Sequence, residues 1–382
     1  MILTHCPVCA AQLPSTSAKQ CSRCKTRYCG RACQEHHWKE GGHDKLCKMI
    51  KKAGGAEQYN ANKKYTAAVA VAAEACAEDT KGQTCYICTQ ALHWKTKEGL
   101  VRGCSCRGTA GFVHVSCLTE EAKILVAEGE ENNLGQKVLT ERWARWFSCS
   151  MCKQEYHGVV RCALGWACWR TYVARPEVET ARQLAIGVLG NSLSEAGHRE
   201  EALTVVEAEL SMNRRVGASE REMLATQSNL ASSYGELGRL EEALEMYRDV
   251  YFRSLKLLGE EHKDTLLEAN NYAHCLLSLR RFDQARPLLL KTLAVAQRAL
   301  DNGYETTLRL SWHYARALYE NTSATLDELR EGVTTLEETT QTARRVLGGA
   351  HPLTESIELS LRDSRAALAA REAPARLGAL AL

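Results

Sequence analysis

Cysteine and histidine are concentrated in two blocks near the start of this 382-residue chain. Of its 18 cysteines, 14 fall in these blocks together with two histidines, as pairs separated by one to three residues. The first block contains Cys6-x2-Cys9, Cys21-x2-Cys24, Cys29-x3-Cys33 and His43-x3-Cys47. The second contains Cys85-x2-Cys88, Cys104-x-Cys106, His114-x2-Cys117 and Cys149-x2-Cys152. Such pairs are typical of tetrahedral zinc sites, in which two ligands from one pair meet two from another.

Eight ligands in each block predict two ions per block, and therefore four zinc ions in the chain. Because the protein fills every ligand position, the pattern predicts closed structural sites. A catalytic zinc keeps one position open for water. The sequence also contains no Ser/His/Asp set, phosphate-binding loop or paired-carboxylate motif. We therefore predict no catalytic side chain.

The overall composition is that of an ordinary globular protein, with 45% hydrophobic and 25% charged residues. A chain of this length is expected to form two or three domains. A secreted disulfide framework is the alternative explanation of the cysteines, but there is no N-terminal apolar signal segment and the histidines have ligand spacing. We expect a soluble protein of the cytoplasm or nucleus. No apolar run approaches about 18 residues, so no membrane contact is predicted.

Charge is distributed unevenly along the chain. Residues 1–52 carry ten Lys and Arg against three Asp and Glu, whereas residues 177–382 carry 24 against 31. A nucleic-acid surface requires a denser basic stripe with exposed aromatic residues. The pattern therefore favours solvated surface, and basic residues near metal-bound thiolates, over a nucleic-acid partner.

The second half of the chain is repetitive. Asn229-Leu230-Ala231, Asn271-Tyr272-Ala273 and His313-Tyr314-Ala315 are spaced 42 residues apart. Each unit reads as a helix, a tight turn and a second helix. Units of this kind cannot bury their apolar faces alone, and they stack into a solenoid. The period lengthens by about five residues near 321–331. The predicted fold is thus mainly α, with two small zinc-stabilised fingers followed by an α-solenoid.

The repeats resemble the long tetratricopeptide repeats of kinesin light chains. The matching segments are Leu258-Gly259-Glu260-Glu261-His262-Lys263-Asp264-Thr265 and Leu347-Gly348-Gly349-Ala350-His351-Pro352-Leu353-Thr354. The resemblance implies peptide or protein ligands in the concave face, but the scaffold binds many unrelated partners. Asn229 and Asn271 would either contact a peptide backbone there or bond their neighbouring turns.

The first block resembles a MYND finger in the order of its eight ligands, with Gln34 directly after Cys33 and then Trp38. A Gly41-Gly42 insertion before His43 departs from the pattern. The resemblance implies two interleaved sets of ligands. Cys6, Cys9, Cys29 and Cys33 form one set, and Cys21, Cys24, His43 and Cys47 form the other. It also implies a protein contact, since MYND fingers bind short peptides that contain proline.

Two further histidines, His36 and His37, are alternative ligands in this finger. Only His43 has the His-x3-Cys spacing, which places both ligands on one helical turn. We therefore expect His43 in the metal site.

The second block resembles the RING-CH, or RING-variant, finger. A histidine at the fifth ligand position and a single-residue gap in the second pair distinguish it from a plant homeodomain finger. Lys153, directly after the last ligand, strengthens the match. Cross-bracing in this family implies two sets of ligands. Cys85, Cys88, His114 and Cys117 form one, and Cys104, Cys106, Cys149 and Cys152 form the other.

The RING-CH resemblance implies a ubiquitin ligase, in which the finger binds a ubiquitin-conjugating enzyme and no covalent intermediate forms on the ligase. It places Ile87 at the apolar contact position and Lys153 where it would donate hydrogen bonds to the conjugating enzyme and ubiquitin. Many members carry Trp five residues after the sixth ligand, but this chain has Ala122. Trp143 or Trp146 would have to fill that place. The alternative is a non-catalytic zinc-binding scaffold for protein interactions.

These patterns predict six segments along the chain. They are a MYND-type finger (1–50), a helical spacer (51–80), a RING-CH-type finger (81–158), an aromatic linker helix (159–180), a repeat solenoid (181–372) and a tail (373–382).

Overall fold

The computed structural model describes residues 6–11, 13, 18–104, 106, 108, 110–349 and 351–379. These residues form 15 α-helices, one short 3₁₀ helix and one two-stranded sheet. The predicted class, mainly α with cysteine-rich fingers ahead of helical repeats, is confirmed. The chain divides into two compact units, Met1–Ser233 and Tyr234–Leu382.

Unit 1 begins with a small antiparallel sheet and continues as helices. Its strands are β1 (Lys19–Gln20) and β2 (Arg27–Tyr28). Its helices are α1 (Arg31–Lys39), α2 (His43–Lys52), α3 (Ala56–Ala75), α4 (Val115–Glu131), α5 (Gln136–Trp143), a 3₁₀ helix (Ala144–Trp146), α6 (Gly158–Tyr172), α7 (Thr180–Glu195), α8 (Arg199–Val216) and α9 (Glu220–Glu236), in which the division between the units falls.

The first finger has a small core of its own. Half of its buried residues are cysteines, and the others include Tyr28, Ile50 and Ala56. Tyr28 is fully buried, and Ile50 comes from the end of α2. A segment of this size has little apolar surface to bury, so packing alone contributes modestly to its stability.

The second finger belongs to a much larger core. Buried residues of the finger, such as Phe112 and Val113, form one continuous cluster with residues of α3, α6, α7 and α8. Trp166, Trp169 and Tyr172 on α6 are all buried in that cluster, consistent with a packing role for this face. Helix α6 packs against both α3 and α7.

Two glycines allow close approach within this core. A Cβ at Gly165 on α6 would lie 2.6 Å from Cβ of Ser192 on α7, and a Cβ at Gly103 would lie 2.5 Å from Cβ of Val160. Any larger residue at either position forces the neighbouring element to shift. The helix pair α6 and α7 and the finger loop around Gly103 are therefore packed tightly.

A carboxyl group is buried between the helices at the end of unit 1. One oxygen of Glu209 on α8 accepts a 3.5 Å hydrogen bond from Oγ1 of Thr226, and the other has no hydrogen-bond partner among the described residues. The Thr226 hydroxyl also accepts from the Asn213 amide at 2.9 Å. Burial raises the pKa of Glu209 to about 7, and the Thr226 hydroxyl partly opposes this shift.

Unit 2 consists of helical hairpins. Its helices are α10 (Leu240–Leu258), α11 (Lys263–Ser278), α12 (Phe282–Ala299), α13 (Glu305–Tyr319), α14 (Leu326–Val346) and α15 (Pro352–Ala379). Each packs on the next, and α11 also contacts α13, which in turn contacts α15. Contact between alternate helices, in addition to neighbours, is the arrangement of a two-layered solenoid.

The lengthened period predicted near 321–331 is visible in the helix boundaries. The connection between α13 and α14 covers 320–325, against 279–281 in the preceding hairpin, and α14 is three residues longer than α12. Thr325 begins α14 with a capping box, in which its hydroxyl and Glu328 satisfy each other's backbone N–H groups. The last helix continues to Ala379 through most of the predicted tail, and residues 380–382 lie outside the described part.

Within the described chain, every helix is too short or too polar to cross a bilayer.

Candidate metal centres and the adjoining surface

The 16 predicted ligands come together as four groups of four. In each group, the sulfur and ring-nitrogen atoms all lie within 4.8 Å of one another. The groups are Cys6, Cys9, Cys29 and Cys33; Cys21, Cys24, His43 and Cys47; Cys85, Cys88, His114 and Cys117; and Cys104, Cys106, Cys149 and Cys152. The interleaved and cross-braced sets implied by the two resemblances are the sets that the fold assembles.

The spacing of the donor atoms suits a tetrahedral ion. Zinc–sulfur bonds of about 2.3 Å imply sulfur atoms about 3.8 Å apart. The Sγ atoms of Cys21 and Cys47 lie 3.8 Å apart, as do those of Cys106 and Cys149. None of the cysteines is in a disulfide. Two of the groups contain four thiols, and the other two contain three thiols and one imidazole. Zinc prefers such ligands, so the clusters suggest zinc binding.

The four Cys-x2-Cys pairs share one backbone geometry. The residue after each pair has a positive φ, and its N–H donates to the carbonyl of the first cysteine at 2.8 to 3.0 Å. These residues are Ala10, Lys25, Thr89 and Lys153. This turn aims backbone N–H groups at the first sulfur. In one case the N–H groups of Ile87 and Cys88 lie 3.4 and 3.5 Å from Sγ of Cys85.

Burial and backbone N–H donors shift the pKa values of the cluster thiols in opposite directions. Burial opposes ionisation of Cys85, but backbone N–H donors from Cys88 and its neighbours outweigh that effect and lower its pKa. Burial raises the pKa of Cys47 to about 11, and the adjacent Cys21 adds to the rise. In the cluster that contains Cys85, burial and the neighbouring thiols raise the pKa of Cys117. A bound cation would favour the thiolate form of both residues.

His43, and neither of the alternative histidines, joins the second cluster of the first finger. Its Nε2 lies 3.3 Å from Sγ of Cys24, and burial lowers its pKa, which favours the neutral, metal-binding form. His37 packs 4.9 Å from the His43 ring and is hydrogen-bonded through Nδ1 to the Tyr28 hydroxyl. His36 lies 3.3 Å from Glu40.

The second finger contains a turn of the same shape that lacks cysteines. The His93 N–H donates to Glu98, the Lys97 N–H donates back to His93, and Lys97 has φ +60°. The Thr96 N–H donates to Nδ1 of His93, and the Thr96 hydroxyl lies close to the same nitrogen. Nδ1 of His93 thus takes the place that the first cysteine sulfur has in a Cys-x2-Cys turn. The turn presents Trp94, 68% exposed. Sequence spacing could not reveal it, because no ligand pair marks it.

Ile87 is exposed on the first pair of the second finger, and a second apolar residue is exposed on the last pair. Ile87 is 41% exposed, and Met151 is 49% exposed. The Tyr86 hydroxyl lies 3.4 Å from the Ser150 hydroxyl, which ties the two turns together beside these residues. Met151 was not singled out from the sequence. The sequence does place Met151 between Cys149 and Cys152 as it places Ile87 between Cys85 and Cys88, and this equivalence could have pointed to it.

Lys153 lies on the same turn as Met151. Its ammonium group donates to the Ser150 carbonyl at 2.6 Å, and the residue is exposed. Glu121 on α4 also faces this turn, and burial raises its pKa while Arg145, Ser150 and Lys153 oppose the rise. The apolar pair is therefore bordered by charged and polar groups of both signs.

Of the two tryptophans suggested as substitutes for the family Trp, Trp146 is part of the core, and Trp143 is partly exposed and packs against it. Ala122 on α4 is fully buried, and so is Trp146. The rings of Trp143 and Trp146 pack against Tyr172 at 5.2 and 5.7 Å. Trp146 has no exposed surface to offer a partner, so it does not replace the missing Trp in a binding groove.

Asn271 in the repeats has a neighbouring partner. Its Oδ1 accepts a 3.3 Å hydrogen bond from the amide of Asn270, and the residue remains partly exposed. Asn229 is also partly exposed. Contact of Asn229 and Asn271 with a peptide stays a prediction.

Three family models match separate segments of the chain. The MYND finger matches residues 6–47, the RING-variant domain matches residues 85–132, and a tetratricopeptide repeat matches residues 223–264. The chain contains all three modules. These matches confirm the resemblances drawn from ligand spacing and repeats. The RING-variant match ends before Cys149 and Cys152, which the fold nevertheless brings to Cys104 and Cys106.

No curated protein matches the chain. Solved structures similar to it include one described as kinesin light chain TPR-like repeats of Podosopora anserina, at 22% identity and a TM-score of 0.42, covering 53% of this chain and 93% of that one. Another is BtubC (BKLC) from P. vanneervenii, at 15% identity and a TM-score of 0.38, covering 69% of this chain and 92% of that one. A third is a Rap protein complexed with Competence and Sporulation Factor, at 12% identity and a TM-score of 0.39, covering 66% of this chain and 72% of that one.

Proposed function

We propose that this protein is a zinc-binding RING-variant ubiquitin-protein ligase. Four zinc ions, two per finger, would hold the fingers in shape. The second finger would bind a ubiquitin-conjugating enzyme, the repeats would recruit the substrate, and the MYND finger would contact a further peptide. The coarser function, a zinc-binding protein built for protein interactions, follows from the three modules.

The observation that carries this proposal is the exposed apolar pair on the second finger. Ile87 and Met151 each sit inside a Cys-x2-Cys pair, and the Tyr86–Ser150 contact joins the two turns. Large apolar side chains on rigid turns lose little conformational entropy on binding. A polar rim that includes Lys153 surrounds them, as at protein interfaces.

A ligase of this kind needs no nucleophile of its own. A substrate lysine attacks the carbonyl carbon of the ubiquitin thioester, the carbon–sulfur bond breaks, and the conjugating enzyme's cysteine leaves as a thiolate while the nitrogen loses a proton. The ligase accelerates the reaction by proximity and orientation. Lys153 would donate hydrogen bonds to the conjugating enzyme and ubiquitin, since its bond to the Ser150 carbonyl uses one of the three N–H donors of the ammonium group.

The decisive experiment measures ubiquitin chain formation by the purified full-length protein with a panel of conjugating enzymes. We expect Ile87→Ala and Met151→Ala each to lower the rate at least about tenfold, as for an interface hot spot. Leu257→Ala is the matched control, because Leu257 is 45% exposed on α10, outside both fingers. Zinc content, expected at about four per chain, is measured on each variant.

Ala122 favours the second candidate, a non-catalytic scaffold, because the family Trp is missing and Trp146 is fully buried. The scaffold becomes the better description if zinc-loaded protein forms no ubiquitin chains with any conjugating enzyme. It also does so if chains form equally with Ile87→Ala and Met151→Ala.

A further inference from the structure

A buried arginine connects the last ligand pair of the second finger to the helices that follow it. Arg161 lies on α6, and its side chain is 8% exposed. Its Nη1 donates to the Phe147 carbonyl at 2.9 Å, and its Nη2 lies 3.4 Å from a carboxylate oxygen of Glu155. Phe147 precedes Cys149 by two residues, and Glu155 follows Cys152 by three. Arg161 thus contacts both ends of the turn that carries this ligand pair.

The turn is also closed by its own backbone. Ser148 and Glu155 form an antiparallel bridge, and the Tyr156 N–H donates to the Phe147 carbonyl at 2.8 Å. That carbonyl therefore accepts from two donors, one in the turn and one on α6. The Arg161 guanidinium also lies over the Phe147 ring, 5.0 Å from its centre.

On its other side, Arg161 reaches helix α7. Its Nε lies 3.7 Å from Glu195, a distance of ionic attraction that is too long for a hydrogen bond. Glu195 also accepts from the Gly158 N–H at 3.3 Å, at the start of α6. The start of α6 is further attached to the second ligand pair, because the His157 N–H donates to the carbonyl of Gly103, the residue before Cys104, at 2.8 Å.

The charge of the arginine suits this place. Burial lowers the pKa of Arg161, but two carboxylates, Glu155 and Glu195, oppose the shift, and a guanidinium stays protonated in proteins. Its planar group directs separate N–H donors to the turn and to α7. A neutral side chain of similar length would fill the space, but it would no longer hold the turn or α7.

We propose that Arg161 is a positioning residue of the ligase, which holds Met151 and Lys153 in the orientation that the conjugating enzyme requires. The inference rests on the proposed function. It makes helices α6 and α7 part of the ligase module, so that the finger and the first repeat helices act as one rigid piece within unit 1.

The test compares three variants of the full-length, zinc-loaded protein. Arg161→Met removes the hydrogen bond to the Phe147 carbonyl, the contact of the guanidinium with the Phe147 ring and both ion pairs, and Arg161→Lys keeps the charge on a single nitrogen. Arg182→Met is the matched control: the Arg182 side chain on α7 is 13% exposed and also paired, with the Arg175 carbonyl at 2.8 Å and Glu57 at 3.0 Å, but these partners lie outside the finger. Single-turnover discharge of ubiquitin from the conjugating enzyme is measured as a function of the concentration of the charged conjugating enzyme.

For Arg161→Met we expect KM for the charged conjugating enzyme to rise about tenfold with kcat nearly unchanged, because the turn is still intact but less often correctly oriented. Arg161→Lys should recover part of the loss, and Arg182→Met should leave KM unchanged. An equal rise in KM for Arg182→Met, or no rise for Arg161→Met, would overturn the proposal.

Amide hydrogen exchange separates this result from failure of the proposed function. Arg161→Met should increase exchange in residues 147–156 and leave residues 85–90 protected, whether or not the protein discharges ubiquitin. If wild type shows no discharge, the ligase proposal fails while exchange still reports on the arginine. Unchanged exchange in 147–156 would overturn the positioning role by itself.

Discussion

The two fingers of unit 1 have similar ligand sets but are supported differently. In the first, four of the eight core residues are predicted metal ligands, and the core ends at Ala56. In the second, Cys85, Cys117 and Cys149 are part of a cluster that continues through α3 and α6 to α8. Two domains with the same metal chemistry can therefore depend on the metal to different degrees. The first is held mainly by its clusters, and the second also by apolar burial.

The largest expected effect comes from removing one ligand of the first finger. Cys24→Ser should unfold residues 18–52 because structural zinc contributes about 10–16 kcal/mol in small zinc domains, far more than this core provides. The second finger and α6–α8 should keep their structure. Amide hydrogen exchange with zinc analysis measures both regions.

Cys76→Ser is the control for this prediction, because it makes the same chemical change at a buried cysteine outside all four clusters. Equal loss of protection in residues 85–216 of the Cys24→Ser variant would show that the two fingers are not independently supported.

A pH titration should sharpen the contrast. A free glutamate has a pKa of about 4.3, and Glu209 in the core has a pKa of about 7. Between these values the folded state binds a proton that the unfolded state releases. Its contribution to stability is therefore complete below about pH 4.3 and is lost as pH rises through 7, by up to about 3 kcal/mol. Metal clusters show the opposite dependence, since their thiols must lose protons.

The measurement is the opening free energy of α7 and α8 from hydrogen exchange between pH 5 and 8, on wild type and Glu209→Gln. The variant should have a flatter pH profile and greater stability at pH 8. Glu200→Gln, exposed on the same helix, is the control and should follow wild type. Identical profiles for all three proteins would contradict the assignment to Glu209.

A smaller effect should follow from adding one methyl group at a glycine of each finger. Gly103→Ala places a Cβ against Val160 of α6 and should destabilise the second finger by about 1–3 kcal/mol. Gly30→Ala meets no atom within 4 Å in the first finger, and Gly30 has an extended φ of −166°. Its effect should stay within about 0.5 kcal/mol. Thermal unfolding of the zinc-loaded proteins tests the difference, and equal effects would contradict tight packing at Gly103.

The smallest expected effect is that of Ile87→Ala on stability. A residue that is 41% exposed on a turn held by its neighbours should change the unfolding free energy by less than about 0.5 kcal/mol. Thermal unfolding is measured on the same samples as ubiquitin transfer. A loss above about 1 kcal/mol would make Ile87 a packing residue and remove its value as evidence for a binding surface.

The sequence by itself determined the ligand pairs and the helical repeats, and the family resemblances implied how the pairs group into sets. Both depend on local spacing: two cysteines separated by two residues form one turn, and apolar residues recurring at helical intervals form one face. The choice of His43 over His36 and His37 followed from the same local geometry, and the five additional residues near Asn321 appear in a longer connection and a longer α14. The proposed segment boundaries remain predictions.

Only the tertiary structure decided which of these pieces share a core. No spacing predicts that the second finger is continuous with α3 and α6, that Met151 is exposed on the turn joined to that of Ile87, or that Trp146 is fully buried. The role of Arg161 depends on residues 14 positions before it and 34 after it. Burial and ion pairing depend on distant segments packed together, so the sequence specifies the ligands, and the packing specifies which surfaces they support.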